Sequence, residues 1–252
     1  MTPEHGIVLG VAGFLAGVVN SVAGGGSLIS FPALLAVGYP SVTANVTNTV
    51  ALWPGYVGAT TAYRRELEGQ RSRMIALGAT SIAGGIAGSV LLLTTPASAF
   101  KAAVPWLILL ACTLFGLQPL AAKTFAKRRA GSKEHRSPGL HIAVFFAAVY
   151  GAYFGAGLGI MLLAVLGLVI VDTLQRLNGL KQVLSVVINS VALVAYAVFG
   201  PVAWPAVAIM AVASLAGGRV GGSFARRLNP VVLRVVVIVF GVSVSCILLA
   251  RQ

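Results

Sequence analysis

Residues 20–48 read NSVAGGGSLISFPALLAVGYPSVTANVTN, and the reading of this stretch decides the fold. It begins inside an apolar run and breaks at Ala23-Gly24-Gly25-Gly26-Ser27. A short apolar piece follows to about Val37, and a second break comes at Gly38-Tyr39-Pro40. Asn45, Thr47 and Asn48 then open a longer apolar segment. In hydrocarbon every backbone N–H and C=O needs a partner, so a glycine break is tolerated only where it is buried in protein or lines a watery cavity. Short apolar pieces beside such a break point to the binding site of a secondary transporter. Any single glycine can also be read as a small residue that lets helices approach closely. The glycine run together with three amides and hydroxyls favours a site.

The rest of the chain has the same character. Of its 252 residues, 58% are hydrophobic and only 9% charged, with a mean hydropathy of +0.95. A soluble domain is about a quarter charged, and several runs here approach the roughly 20 apolar residues that a spanning helix needs. An all-α polytopic membrane protein, embedded in a lipid bilayer, is expected. The segment Met1–Gly6 carries Glu4 and no Lys or Arg, unlike the basic start of a cleaved signal, so the first apolar run is expected to be retained. The net charge of +13 would suit nucleic acid. The basic residues instead sit in short loops between apolar runs, the positive-inside pattern that sets topology, and no nucleic-acid partner is expected. Cys112 and Cys246 lie in apolar runs and match neither a disulfide framework nor a zinc spacing.

Apolar runs occupy about 7–23, 27–37, 43–62, 74–94, 102–122, 140–156, 158–171, 179–199, 203–222 and 231–250. The 27–37 and 158–171 pieces are short for full spans. The boundaries read as a first transmembrane repeat at 1–122, a basic linker at 123–139 and a second repeat at 140–252. The halves look like copies. Gly24 and Gly26 correspond to Gly155 and Gly157, 131 positions on; Asn45 to Asn178 and the Ser81–Gly88 run to Ser214–Gly221, both 133 on; Cys112 to Cys246, 134 on. Loop charge sets their relative orientation. Arg64, Arg65, Arg71 and Arg73 place the 63–73 loop in the cytoplasm, with the linker, with Arg176 and Lys181, and with Arg226, Arg227 and Arg234. The 94–101 loop, with Lys101 alone, and the uncharged 200–205 turn fall outside, as does the N-terminus. The copies then insert in opposite orientations: two inverted-topology repeats of about five helical segments each, broken into short helices at the Gly-rich motifs, with a site at their interface.

The carboxylates Glu4, Glu66, Glu68, Glu134 and Asp172 all lie at termini, loops or segment ends, so none makes a mid-membrane proton relay. His5, His135 and His141 are equally peripheral. With no HExxH, no phosphate-binding loop and no carboxylate pair, an enzyme, a metal site and a cofactor are not expected. What remains at membrane depth is neutral or cationic: Asn20, Ser27, Ser30, Asn45, Thr47, Asn48, Ser185, Asn189 and Lys181. Helix N-termini at the Gly24–Ser27 and Gly155–Gly159 breaks would aim N–H groups and positive dipole ends inward, which suits an anion. Lys181 stands where the first copy has Asn48. It reads either as a snorkelling interface lysine or as a point charge on the anion. Arg176 reads as a topology charge, and Ser185 and Asn189 as hydrogen bonds between helices. The expected site therefore comprises Asn20, Gly24, Gly25, Gly26, Ser27, Asn45, Thr47, Asn48, Gly155, Gly157, Gly159, Asn178 and Lys181.

These motifs resemble the TauE/SafE family of sulfite exporters and related permeases over nearly the whole chain. The resembling residues are Gly13–Ile29, Pro32–Leu35, Ala44–Asn48, Gly151–Gly159 and Asn178–Lys181. The second copy departs from a glycine triplet at Leu158, in Gly155-Ala-Gly-Leu-Gly159. The resemblance implies a carrier in the bacterial inner membrane that moves sulfite, sulfoacetate or related organosulfur anions, generally outward. An anion channel, or a permease for another small anion, is the alternative. A homodimer is left open.

Overall fold

The computed structural model describes residues 2–22, 24–126, 137–224 and 230–250, with side chains described throughout these except at 118–126, 222–224 and 230–234. The described residues form ten α-helices: α1 Pro3–Val22, α2 Ser27–Ala36, α3 Ser41–Ala62, α4 Arg71–Thr94, α5 Ala97–Ala126, α6 Pro138–Tyr153, α7 Leu158–Val169, α8 Leu174–Phe199, α9 Trp204–Phe224 and α10 Pro230–Ala250. A 3-10 turn, Arg64–Leu67, lies between α3 and α4. Each apolar run of the sequence is one helix. At the linker α5 continues through Lys123 to Ala126, because Lys and Ala propagate a helix readily. Most of the linker, residues 127–136, together with Arg226 and Arg227, lies outside the described residues.

Among the described residues, five helices are long and apolar enough to cross a membrane: α1, α4, α8, and the Ala97–Leu117 and Trp204–Gly221 parts of α5 and α9. Their outer faces are apolar and open, with Val11 55%, Trp106 64%, Val194 62% and Val212 72% exposed, as a surface solvated by lipid requires. At a rise of 1.5 Å per residue, α2 and α7 reach only about 15 and 18 Å. That is roughly half of a 30 Å hydrocarbon core, so neither spans.

The helix packing of the two halves corresponds. α1 packs on α9 as α6 packs on α4, and α3 packs on α9 as α8 packs on α4. α1 meets α2 and α3 as α6 meets α7 and α8; α5 meets α7 as α10 meets α2. The pairs α3–α8 and α5–α10 map onto themselves. Each half thus lends its fourth helix to the other. Glycine faces allow the exchange. A methyl at Gly217 of α9 would fall 2.1 Å from the Phe14 carbonyl oxygen of α1, and one at Gly88 of α4 2.2 Å from the Val149 carbonyl oxygen of α6. Such backbone-to-backbone approach is how membrane helices gain dispersion energy without a hydrophobic driving force between them.

Candidate functional site

Two breaks interrupt the bundle, one between α1 and α2 and one between α6 and α7. The chain turns at Gly24 (φ +89°) and Gly155 (φ +78°), a left-handed backbone that costs other residues about 1–2 kcal/mol. Equivalent hydrogen bonds close both turns: Gly24 N–H donates to Val19 O and Gly155 N–H to Tyr150 O. The breaks touch. A methyl at Gly24 would sit 2.6 Å from Gly159 Cα, and one at Gly159 2.7 Å from Gly24 Cα. Gly26 and Gly157 are the N-caps of α2 and α7, and neither helix has a side-chain cap. Both positive helix ends are therefore presented where the two breaks meet.

The carbonyls released by the breaks are taken up by side chains, as burial demands. Gln182 Nε2, on α8, donates to both Asn20 O and Ser21 O at 3.1 Å. Asn45 Nδ2, on α3, donates to Tyr153 O at 2.9 Å. The Tyr63 hydroxyl reaches Ser21 O, and the Tyr196 hydroxyl donates to Ala152 O. These last two pairs are copies of each other, tyrosines 133 apart and carbonyls 131 apart. Through its amide each long polar helix thus holds the break of the opposite half, and through the tyrosine at its far end the break of its own.

The residues singled out in the sequence divide between these tasks. Asn20 Oδ1 accepts from Gly26 N–H at 2.7 Å and fixes the start of α2. Tyr56 of α3, which the sequence reading passed over, has its hydroxyl in hydrogen-bonding reach of Ser27 and Asn20. Asn48 Oδ1 accepts from Ser30 Oγ. Thr47 faces elsewhere: its hydroxyl accepts from Ala203 N–H, just before α9. Gly25 lies against the Phe115 ring and Gly157 against Ala111, both from α5. Asn189 donates to Ser185 O within its own helix, not between helices.

Lys181 is fully buried in α8, not snorkelling at an interface. Among the described residues its Nζ has no hydrogen-bond partner, nor have Asn45 Oδ1, Asn178 Oδ1, Gln182 Oε1 and Ser185 Oγ. Gln182 is the second residue missing from the sequence reading. Its signal was present, since 178, 181, 182 and 185 form one helical face.

At one end of the bundle a charged knot joins the 3-10 turn, the start of α4 and the α7–α8 turn. Asp172 pairs with Arg73 at 2.6 Å and with Arg176 at 2.9 Å. Arg176 also donates to Glu68 O, and Gln70 to Arg176 O. Arg176 therefore does more than set topology. Burial pushes the Asp172 carboxyl up, but hydrogen bonds from Arg73, the Thr173 N–H and Arg176 outweigh it and hold the group below the ordinary carboxylate range.

The model of the family described as sulfite exporter TauE/SafE matches residues 9–248. A probable membrane transporter protein, ORF9, from Sinorhizobium sp is 26% identical over 242 residues, covering 95% of this chain and 90% of its own. The probable membrane transporter protein YfcA of Escherichia coli K12 is 25% identical over 247 residues, covering 96% and 90%. A probable membrane transporter protein of Haemophilus influenzae Rd is 25% identical over 233 residues, covering 92% and 89%. No solved structure matches the chain.

Proposed function

The chain belongs to the sulfite exporter TauE/SafE family, and from that premise we propose that this membrane transporter carries sulfite or a small organosulfur anion out of the bacterial cell. The substrate is held where the two breaks meet, and alternating access exposes it to each side in turn. Lys181 is the observation that carries this reading. It is a buried amine with no partner among the described residues, on the helix that braces the α1–α2 break. A buried cation left uncompensated costs several kcal/mol, and an anion completes it. The N-termini of α2 and α7 add two positive dipole ends. The described carboxylates, Glu4, Glu66, Glu68 and Asp172, lie in the first turn of α1 or in turns between helices, which disfavours a cation as cargo.

In this reading the copies are inverted and the protein sits in the inner membrane. The α1–α2 hairpin enters from outside, the α6–α7 hairpin from the cytoplasm, and their tips meet at Gly24 and Gly159. The Asp172 knot supports one side for two loops that loop charge assigns to the cytoplasm, 63–73 and 172–181. The exchange pattern of helix packing supports two equivalent halves.

Proteoliposomes loaded with labelled sulfite test the proposal. The expected result is saturable efflux, competed by sulfonates more than by chloride, and lost in Lys181→Met. Unchanged flux in Lys181→Met, or no movement of any sulfur anion, overturns it.

A further inference from the structure

The two copies have diverged at one face, and the divergence bears on what the anion must carry; this rests on the anion-carrier reading above. On α3 the positions 45, 48, 49 and 52 are largely satisfied from within. Asn48 is bonded by Ser30, Thr49 donates to Asn45 O, and Leu52 is apolar. The matching positions of α8, 133 further on, are Asn178, Lys181, Gln182 and Ser185. Each of these four leaves a buried polar atom without a partner among the described residues: Oδ1, Nζ, Oε1 and Oγ. They stand at i, i+3, i+4 and i+7, so they share a strip about 10 Å long on one side of the helix. Lys181, Gln182 and Ser185 are each 0% exposed.

The orphaned atoms are of two kinds. Lys181 Nζ and Ser185 Oγ can donate. The amide oxygens can only accept, and at Gln182 the orientation is pinned. Its NH2 faces two main-chain carbonyls, Asn20 O and Ser21 O, which accept and never donate. The free atom is therefore an oxygen. Asn45 is pinned in the same way by Tyr153 O, and its own Oδ1 is also unpaired. A fully ionised oxyanion brings acceptors alone. It would satisfy the lysine and leave the amide oxygens buried, unpaired and facing negative charge.

We propose that this α8 face contacts the substrate and selects an anion that also carries a hydrogen-bond donor. The donor sits either on a hydroxyl-bearing sulfonate or on a singly protonated inorganic oxyanion. Lys181 takes the ionised oxygens, and the oxygens of Asn178 and Gln182 take the donor.

Two isosteric pairs of equal charge isolate the donor. The first is 2-hydroxyethanesulfonate against 1-propanesulfonate. The second, in mildly acidic buffer, is hydrogensulfite against methanesulfinate. In both a methyl replaces the hydroxyl. Calorimetric titration of the purified full-length protein is expected to show the donor-bearing member of at least one pair binding about tenfold tighter or more, since a site built to pair a hydroxyl rejects the analogue without it. Which pair discriminates identifies the source of the donor. Asn178→Leu and Gln182→Met should each bring that ratio to about one. Gln182 also braces the break and its variant can misfold, so the Asn178 variant alone suffices. Equal binding within both pairs overturns the proposal, as does a ratio unchanged in Asn178→Leu. Tighter binding in sodium than in a bulky organic cation overturns it too, since the amide oxygens would then be coordinating a cation. If none of the four anions binds, the carrier reading falls and takes this inference with it; equal binding of all four sinks the inference alone.

Discussion

Gly24 and Gly38 share a left-handed backbone, φ +89° and +102°, but not their surroundings. A methyl at Gly38 meets nothing within 4 Å, whereas one at Gly24 meets Gly159 Cα at 2.6 Å. Gly38→Ala should therefore cost only the conformational part, about 1–2 kcal/mol. Gly24→Ala should add the cost of forcing backbone from backbone, about 1–3 kcal/mol more. Thermal unfolding in detergent reads the difference, and equal shifts would mean that the two breaks do not touch. Lys181 separates stability from binding in a similar way. Replacing a buried, unpaired amine with an apolar chain of similar length is expected to leave folding intact or improve it, so Lys181→Met should keep its melting temperature and lose sulfite affinity. Lys181→Arg should recover that affinity only in part, because a planar fork differs in shape from an ammonium. A Lys181→Met protein that binds sulfite normally would remove the lysine from the site.

Helix pairing supplies a sharper contrast. Gly78 of α4 is buried, but a methyl there would meet nothing within 4 Å beyond its own helix. Gly217 of α9 lies 2.1 Å, by the same measure, from Phe14 O. Gly78→Ala should stabilise by up to about 1 kcal/mol through helix propensity. Gly217→Ala should push α9 off α1 and lower the melting temperature clearly, and a neutral Gly217→Ala would argue against that packing. Asp172 makes a pH-dependent prediction at the same scale. Its carboxyl is held below the ordinary value in the folded protein, so its stabilisation is fully present above the ordinary value and lost as pH falls from there through the lowered folded-state value. Asp172→Asn should be less stable than the wild type at neutral pH, with the gap narrowing below about pH 4. A gap that persists in acid would rule out the ion pairs as its source. The helices themselves were legible because hydropathy and glycine breaks mark them directly. The exchange of α4 and α9 between halves was not, since a stripe of small residues shows that a helix packs closely without naming its partner. Within the site, Lys181 and the asparagines stood out as polar residues in apolar runs. Gln182 and Tyr56 did not, because their importance comes from the carbonyls of another half of the chain, Asn20 and Ser21, and from Ser27, which only folding brings near.

For the molecule as a whole, the arrangement of charge limits how transport is driven. The described carboxylates sit in the first turn of α1 or between helices, so nothing acidic among them lies along the path between the breaks. A proton relay built from carboxylates therefore has no place there, and the membrane potential remains as a source of work. One charge crossing 100 mV is worth about 2.3 kcal/mol, so a monoanion leaving an interior-negative cell can be driven against a gradient of roughly 40-fold at about 1.4 kcal/mol per factor of ten. A dianion would double the energy and square the gradient. The charge carried per cycle is thus a direct measure of the substrate's ionisation state in the site. Proteoliposomes with a potassium diffusion potential, without proton or sodium gradients, should hold a steady anion ratio that changes about tenfold for each 60 mV if one net charge moves. With sulfite as the anion, a slope twice as steep would mean that the unprotonated dianion is carried and would contradict donor recognition on α8. A ratio indifferent to the potential but following an imposed proton gradient would show electroneutral coupling, and transport driven by the membrane potential alone would then be wrong.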